Sequence, residues 1–67
     1  VSARNSLKAT VKKVMAGAVN TEVILEVVPG VEIVAIITKS SAESLGLSEG
    51  KEAYAVIKSS DVMVAVD

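Results

Sequence analysis

Ser40-Ser41-Ala42-Glu43-Ser44-Leu45-Gly46-Leu47 reads as one short helix in a chain whose other apolar runs look like strands. Ser40 followed by Glu43 matches a capping box, in which a hydroxyl and a carboxylate each satisfy a backbone N–H left unpaired at the helix start. Gly46 suits the left-handed position that ends a helix. Leu45 and Leu47 are expected to plug a core, and the segment carries no chemistry of its own.

Three strand-like runs precede this helix. Residues 5–14 alternate loosely, with Leu7, Ala9 and Val11 on one side and Lys8, Thr10 and Lys12 on the other, as in a half-exposed strand. Ala16-Gly17 suits a turn. Residues 19–28 put Val19, Thr21, Val23, Leu25 and Val27 on one face, and Pro29-Gly30 ends the run because proline has no N–H to donate. Residues 31–38 put Val31, Ile33, Ala35 and Ile37 on one face, with Val34 and Ile36 on the reverse. Two more runs follow. Residues 51–57 set Ala53, Ala55 and Ile57 against Tyr54 and Val56, and residues 62–66 set Val62, Val64 and Val66 against Met63 and Ala65. A helix between strands 3 and 4 of five antiparallel strands is the arrangement of an OB-like barrel. The predicted fold is therefore all-β, a five-stranded OB-like barrel with one short helix between strands 3 and 4. An SH3-like barrel and a small sandwich are the alternatives. Strands that are apolar on both faces cannot serve two cores in so short a chain, so their outer faces are expected to meet another subunit.

Composition narrows the function. Its 67 residues suffice for one small domain, 1–67. Hydrophobic residues make up 51%, without Phe or Trp and with Tyr54 as the one aromatic, so the core is built from small side chains and needs a staple. Cys and His are absent. That excludes disulfides, zinc fingers, His-ligated haem and Cys or His nucleophiles, and leaves oligomerisation. A formal net charge of -1 and a lone aromatic oppose nucleic-acid binding. No apolar run approaches the roughly 18 residues that span a bilayer, and no signal-peptide pattern is visible. The lack of cysteine fits a reducing compartment, and a cytoplasmic protein is expected.

Enzyme chemistry finds no footing. No two of the acids are given reason to converge as a hydrolytic pair, there is no Gly-rich phosphate loop, and a Ser-Lys nucleophile from Ser59 or Ser60 with Lys58 would need a pre-built oxyanion hole. Donors, by contrast, gather at the two chain ends, in Ser2-Ala3-Arg4-Asn5 and in Lys58-Ser59-Ser60-Asp61-Val62. These ends are read as meeting, across a subunit boundary, around a small oxyanion. A tetrahedral dianion needs several inward N–H or O–H donors and modest positive charge. The structural reading of the same residues is a strand cap at Asn5, a solvated turn cation at Lys58 and a hairpin ordered by Asp61. Asp61 is not expected to face the anion, which it would repel. Lys8, Lys12 and Lys13 are expected to keep the first strand soluble as a sheet edge.

Ser2-Ala3-Arg4-Asn5 followed by Leu7, together with Lys58-Ser59-Ser60-Asp61-Val62-Met63 and with Gly17 and the 46–50 segment between, resembles the molbindins, the small molybdate-binding Mop proteins. The resemblance spans essentially the whole chain. The same module occurs in molybdate-dependent regulators and molybdate transporter ATPases. The resemblance implies a homohexamer, a trimer of dimers, that holds molybdate or tungstate between subunits. Ser2, Ala3, Arg4 and Asn5 would come from one subunit and Lys58 and Ser59 from another, with Ser60 nearby. The metal would be held as its oxyanion, without direct protein ligands and without an organic cofactor. A second class of site is implied around residues 18–20, near a threefold axis. Ala9, where many members have Gly, and Ser60, where Thr is common, depart from the pattern. The implied role is storage or homeostasis of the anion, with no membrane or nucleic-acid partner. The alternatives are an oxyanion-sensing domain of a larger regulator or transporter, and a ligand-free structural unit.

Overall fold

The computed structural model describes residues 4–67. The chain runs through β1 (Arg4–Ala16), β2 (Asn20–Val28), β3 (Val31–Thr38), α1 (Lys39–Leu45) and β4 (Glu52–Lys58), then a single 3₁₀ turn, Ser59–Asp61. All pairings are antiparallel, and the sheet order is β3-β2-β1-β4. β1 is long enough to serve two neighbours. Its first half pairs with β4 and its second half with β2.

The alternation of the sequence sets the inner face. Ala9 and Val11 of β1, Val23 and Leu25 of β2 and Ala55 of β4 form the buried cluster, and Ile33, Ile37, Leu47 and Ala53 pack at its margin. A register shift between Val11 and Lys13 works as a bulge: Lys12 is the extra residue, and the inward parity changes from Val11 to Val14. Ala9 sits in this cluster, opposite Ala53 in the β1–β4 ladder. Its methyl group adds to the core.

The helix begins earlier than expected. Thr38, still extended at φ -68° and ψ 152°, is the N-cap, and its Oγ1 accepts the Ser41 N–H at 3.1 Å. The expected Ser40–Glu43 box does not form the cap, because β3 runs straight into the helix and puts Thr38 at the boundary. Gly46 does end the helix, at φ 62°, with its N–H directed to the Ala42 and Glu43 carbonyls. Lys51 Nζ donates to the carbonyls of Leu45 at 2.8 Å and Gly46 at 3.2 Å, placing a cation on the negative end of the helix. The plug is Ala42 with Leu47, while Leu45 stays 59% exposed.

Two expectations are corrected here. The fold is a four-stranded, open half-barrel with one helix, and the five-stranded OB-like barrel is not formed. Among the described residues, 62–66 join no strand ladder. They leave β4 through the 3₁₀ turn, and their apolar side chains stay in solvent, so β3 and β4 remain free edges. Nor is β1 an edge. It lies between β2 and β4, and carboxylates meet Lys8 and Lys12, while Lys13 is exposed.

Candidate functional site

The ladder between β1 and β4 brings the two donor-rich ends together. Arg4 lies directly opposite Lys58, and Asn5 opposite Ile57, within one chain, where the two ends were expected to meet across a subunit boundary, because β1 and β4 of the same chain are neighbours in the sheet. Directly opposed residues of an antiparallel pair share a face, with Cβ atoms about 5 Å apart. Parity puts Arg4 and Lys58 on the outer face with Ser6 and Val56, since Ala9 and Ala55 define the inner one. Ser59 and Ser60 follow in the 3₁₀ turn, and Asn5 Nδ2 donates to the Ile57 carbonyl at 3.4 Å, tying the corner across the ladder. Arg4, Asn5, Lys58, Ser59 and Ser60 are all exposed. Ser2 and Ala3, the remaining expected members, lie outside the described residues.

The electrostatics of this corner are unusual for the sheet. Two cations face each other, which is unfavourable, and among the described residues neither Arg4 nor Lys58 forms a salt bridge. Elsewhere on β1, Lys8 and Lys12 are matched, while Lys13 is exposed without a salt bridge among the described residues but stands alone, with no second cation opposite it. Lys12 Nζ sits 2.6 Å from Glu32 and 3.6 Å from Glu26, and Lys8 sits 3.4 Å from Glu52. The hydrogen bond from Lys12 to Glu32, helped by the charges of Glu32 and Glu26, raises the Lys12 ammonium above its ordinary 10.5. Among the described residues no cluster of three or more acidic side chains is arranged to hold a metal cation. What the corner offers is charge and donors for an anion.

The 18–20 region is ordered by its backbone. Gly17 N–H donates to the Asn20 carbonyl at 2.8 Å and Lys39 N–H to the Val19 carbonyl at 2.9 Å, while the Val19 side chain is 73% exposed. A Cβ at residue 17 would lie 2.8 Å from the Asn20 oxygen, so glycine is required there. Beside this loop Thr21 is buried, and its Oγ1 has no hydrogen-bond partner among the described residues. It lines a small cavity with Lys39, Glu43 and Gly46. Sequence reasoning gave Thr21 no role; a hydroxyl within an otherwise apolar stripe was the available signal.

With this geometry in place, the relatives fall into one group. Residues 1–64 match the TOBE domain. Molybdenum-pterin-binding protein 3 of Clostridium pasteurianum is 50% identical over 64 residues, which is 96% of this chain and 94% of that protein. A molybdate-binding protein from Sporomusa ovata superposes with a TM-score of 0.90 at 35% identity, covering 98% of this chain and 97% of that one. The cytoplasmic molybdate-binding protein ModG, solved with molybdate bound, gives a TM-score of 0.84 at 47% identity, over 88% of this chain and 42% of its own. The chain belongs to the Mop/TOBE family, as the motifs at its two ends implied.

Proposed function

We propose that residues 1–67 form one oxyanion-binding module and that its ligand is molybdate or tungstate. Ser2, Ala3, Arg4, Asn5, Lys58, Ser59 and Ser60 supply the donors. The observation that carries this reading is the opposition of Arg4 and Lys58 with no salt-bridge partner among the described residues. A bound dianion turns that repulsion into two charge-assisted contacts. The relatives named for molybdenum or molybdate support the choice of anion. Molybdate and tungstate have nearly the same size and charge, so one set of donors serves both. Protonated phosphate wants an acceptor, which a site built from donors withholds.

The corner is exposed and lies on the outer face, so it encloses a ligand only when another surface covers it. A homohexamer, a trimer of dimers with sites between subunits, meets that need, and a second site class near residues 18–20 would raise its capacity. Binding then favours the assembled state by mass action. The role is storage or buffering of the anion in the cytoplasm, by binding and without catalysis. The module filling 42% of ModG favours a second setting, in which the same unit works within a longer chain.

Calorimetric titration with molybdate, tungstate, sulfate and phosphate tests the proposal. Saturable heat with the first two, and at least tenfold weaker binding of the others, is expected. Equal phosphate and molybdate affinities, no heat with any oxyanion on an intact oligomer, or binding only of a molybdenum–pterin adduct would contradict it.

A further inference from the structure

The outer face of the β1–β4 ladder continues past the corner where two cations oppose each other. Its successive rungs are Arg4 with Lys58, Ser6 with Val56, Lys8 with Tyr54, and Thr10 with Glu52. The second rung is a short one. Ser6 and Val56, both exposed, stand between two rungs of long side chains and leave a saddle in the surface. From Lys58 to Tyr54 is four residues along β4, about 13 Å.

The third rung, on the far side of the saddle, is engaged unequally. Lys8 is drawn to Glu52 of the fourth rung, with its Nζ 3.4 Å from the carboxylate, and so leans away from the corner. Tyr54 is 62% exposed, and among the described residues its hydroxyl has no hydrogen-bond partner. It is the one aromatic of the chain, and the fold spends it on the surface, outside the core. Diagonal neighbours on one face of an antiparallel pair lie about 7–8 Å apart, within reach of an aromatic side chain. Ser6 is such a neighbour of Tyr54, and its small side chain leaves the ring room to lie over it.

We propose that Tyr54 is a further contact residue of the oxyanion site and sets its preference for a larger anion. The ring lies across Ser6 and Val56, and the hydroxyl donates to the anion held by Arg4 and Lys58. This inference deepens the function proposed above and rests on it. Ser59 and Ser60 lie beyond Lys58 in the 3₁₀ turn, so they serve one flank of the anion, and Tyr54 serves the opposite one. An O–H donor to an oxyanion makes a strong hydrogen bond. The neutral phenol adds that donor without adding a third charge to the two cations that already repel each other. Sulfate is smaller than molybdate or tungstate, so an anion seated against the two cations meets the phenol across the saddle only when it is one of the larger pair.

Because Tyr54 is the only tyrosine and the chain has no Trp, tyrosine fluorescence reports on this residue alone. Titrating the full chain with tungstate is expected to change that emission, saturating where calorimetry saturates, and Lys58→Glu is expected to abolish the change. Tyr54→Phe removes only the hydroxyl. It is expected to lower tungstate affinity about tenfold and sulfate affinity by less than about twofold, with the melting temperature unchanged. Emission that stays constant while heat is released, or Tyr54→Phe binding tungstate as tightly as wild type, would overturn this proposal and leave the anion site at the corner standing. No heat and no optical change with any oxyanion would overturn both.

Discussion

Two groups of cations project from the outer face of the sheet, and they are treated differently. Lys8 and Lys12 of β1 are answered by Glu52 of β4, Glu26 of β2 and Glu32 of β3, all within 3.6 Å. Arg4, a few residues earlier on the same strand, meets Lys58. Pairing with carboxylates makes the first group self-contained, so it has no call on an external charge. The second group is left positive at the end of the ladder, beside two serines in a turn. Charge balance within the sheet is therefore local, and the place where two unanswered cations oppose each other is where an anion fits.

The largest effect is expected from making the second group resemble the first. Lys58→Glu sets a carboxylate opposite Arg4, and molybdate affinity is expected to fall by at least about 100-fold, about 2.7 kcal/mol, without loss of thermal stability. Calorimetry with a melting curve checks both halves. Arg4→Gln removes one charge and keeps a donor, and about a tenfold loss is expected. Ser59→Ala removes one neutral hydrogen bond, about 0.5–1.5 kcal/mol, which corresponds to a loss of roughly two- to tenfold. Smallest is Lys12→Met, with molybdate affinity unchanged within about twofold. Its effect belongs to stability and to pH. The folded state holds the Lys12 ammonium above its ordinary 10.5, so the contribution is fully present below that value and is lost as pH rises through the raised one. Wild type and Lys12→Met are expected to differ slightly at neutral pH and to converge in alkaline solution.

Much of the sheet was legible because the sequence alternates so regularly. Residues 31–38 and the Pro29-Gly30 turn fell where expected, with Gly30 at φ 84°, and Gly46 ended the helix. The donors at the two ends made their meeting legible, but not the β1–β4 register that sets Arg4 against Lys58 within one chain, because apolar spacing gives each strand its faces but not its partner. For the same reason the lysines of β1 suggest an edge strand, although β1 lies centrally. The capping residue was missed since Thr38, Ser40 and Ser41 are all competent caps, and the end of β3 decides among them. Residues 62–66 carry a strand's composition, but a strand needs a neighbour, and this chain does not present one to its own tail.

The most direct test of the central claim is to locate the anion. Crystals of the assembled protein grown with tungstate give an anomalous signal at each bound tungsten. The account predicts a peak at the β1–β4 corner, within hydrogen-bonding range of the Arg4 and Lys58 side chains and of Ser59. Ordered tungsten elsewhere, with that corner empty, would show that the opposed cations serve some other purpose.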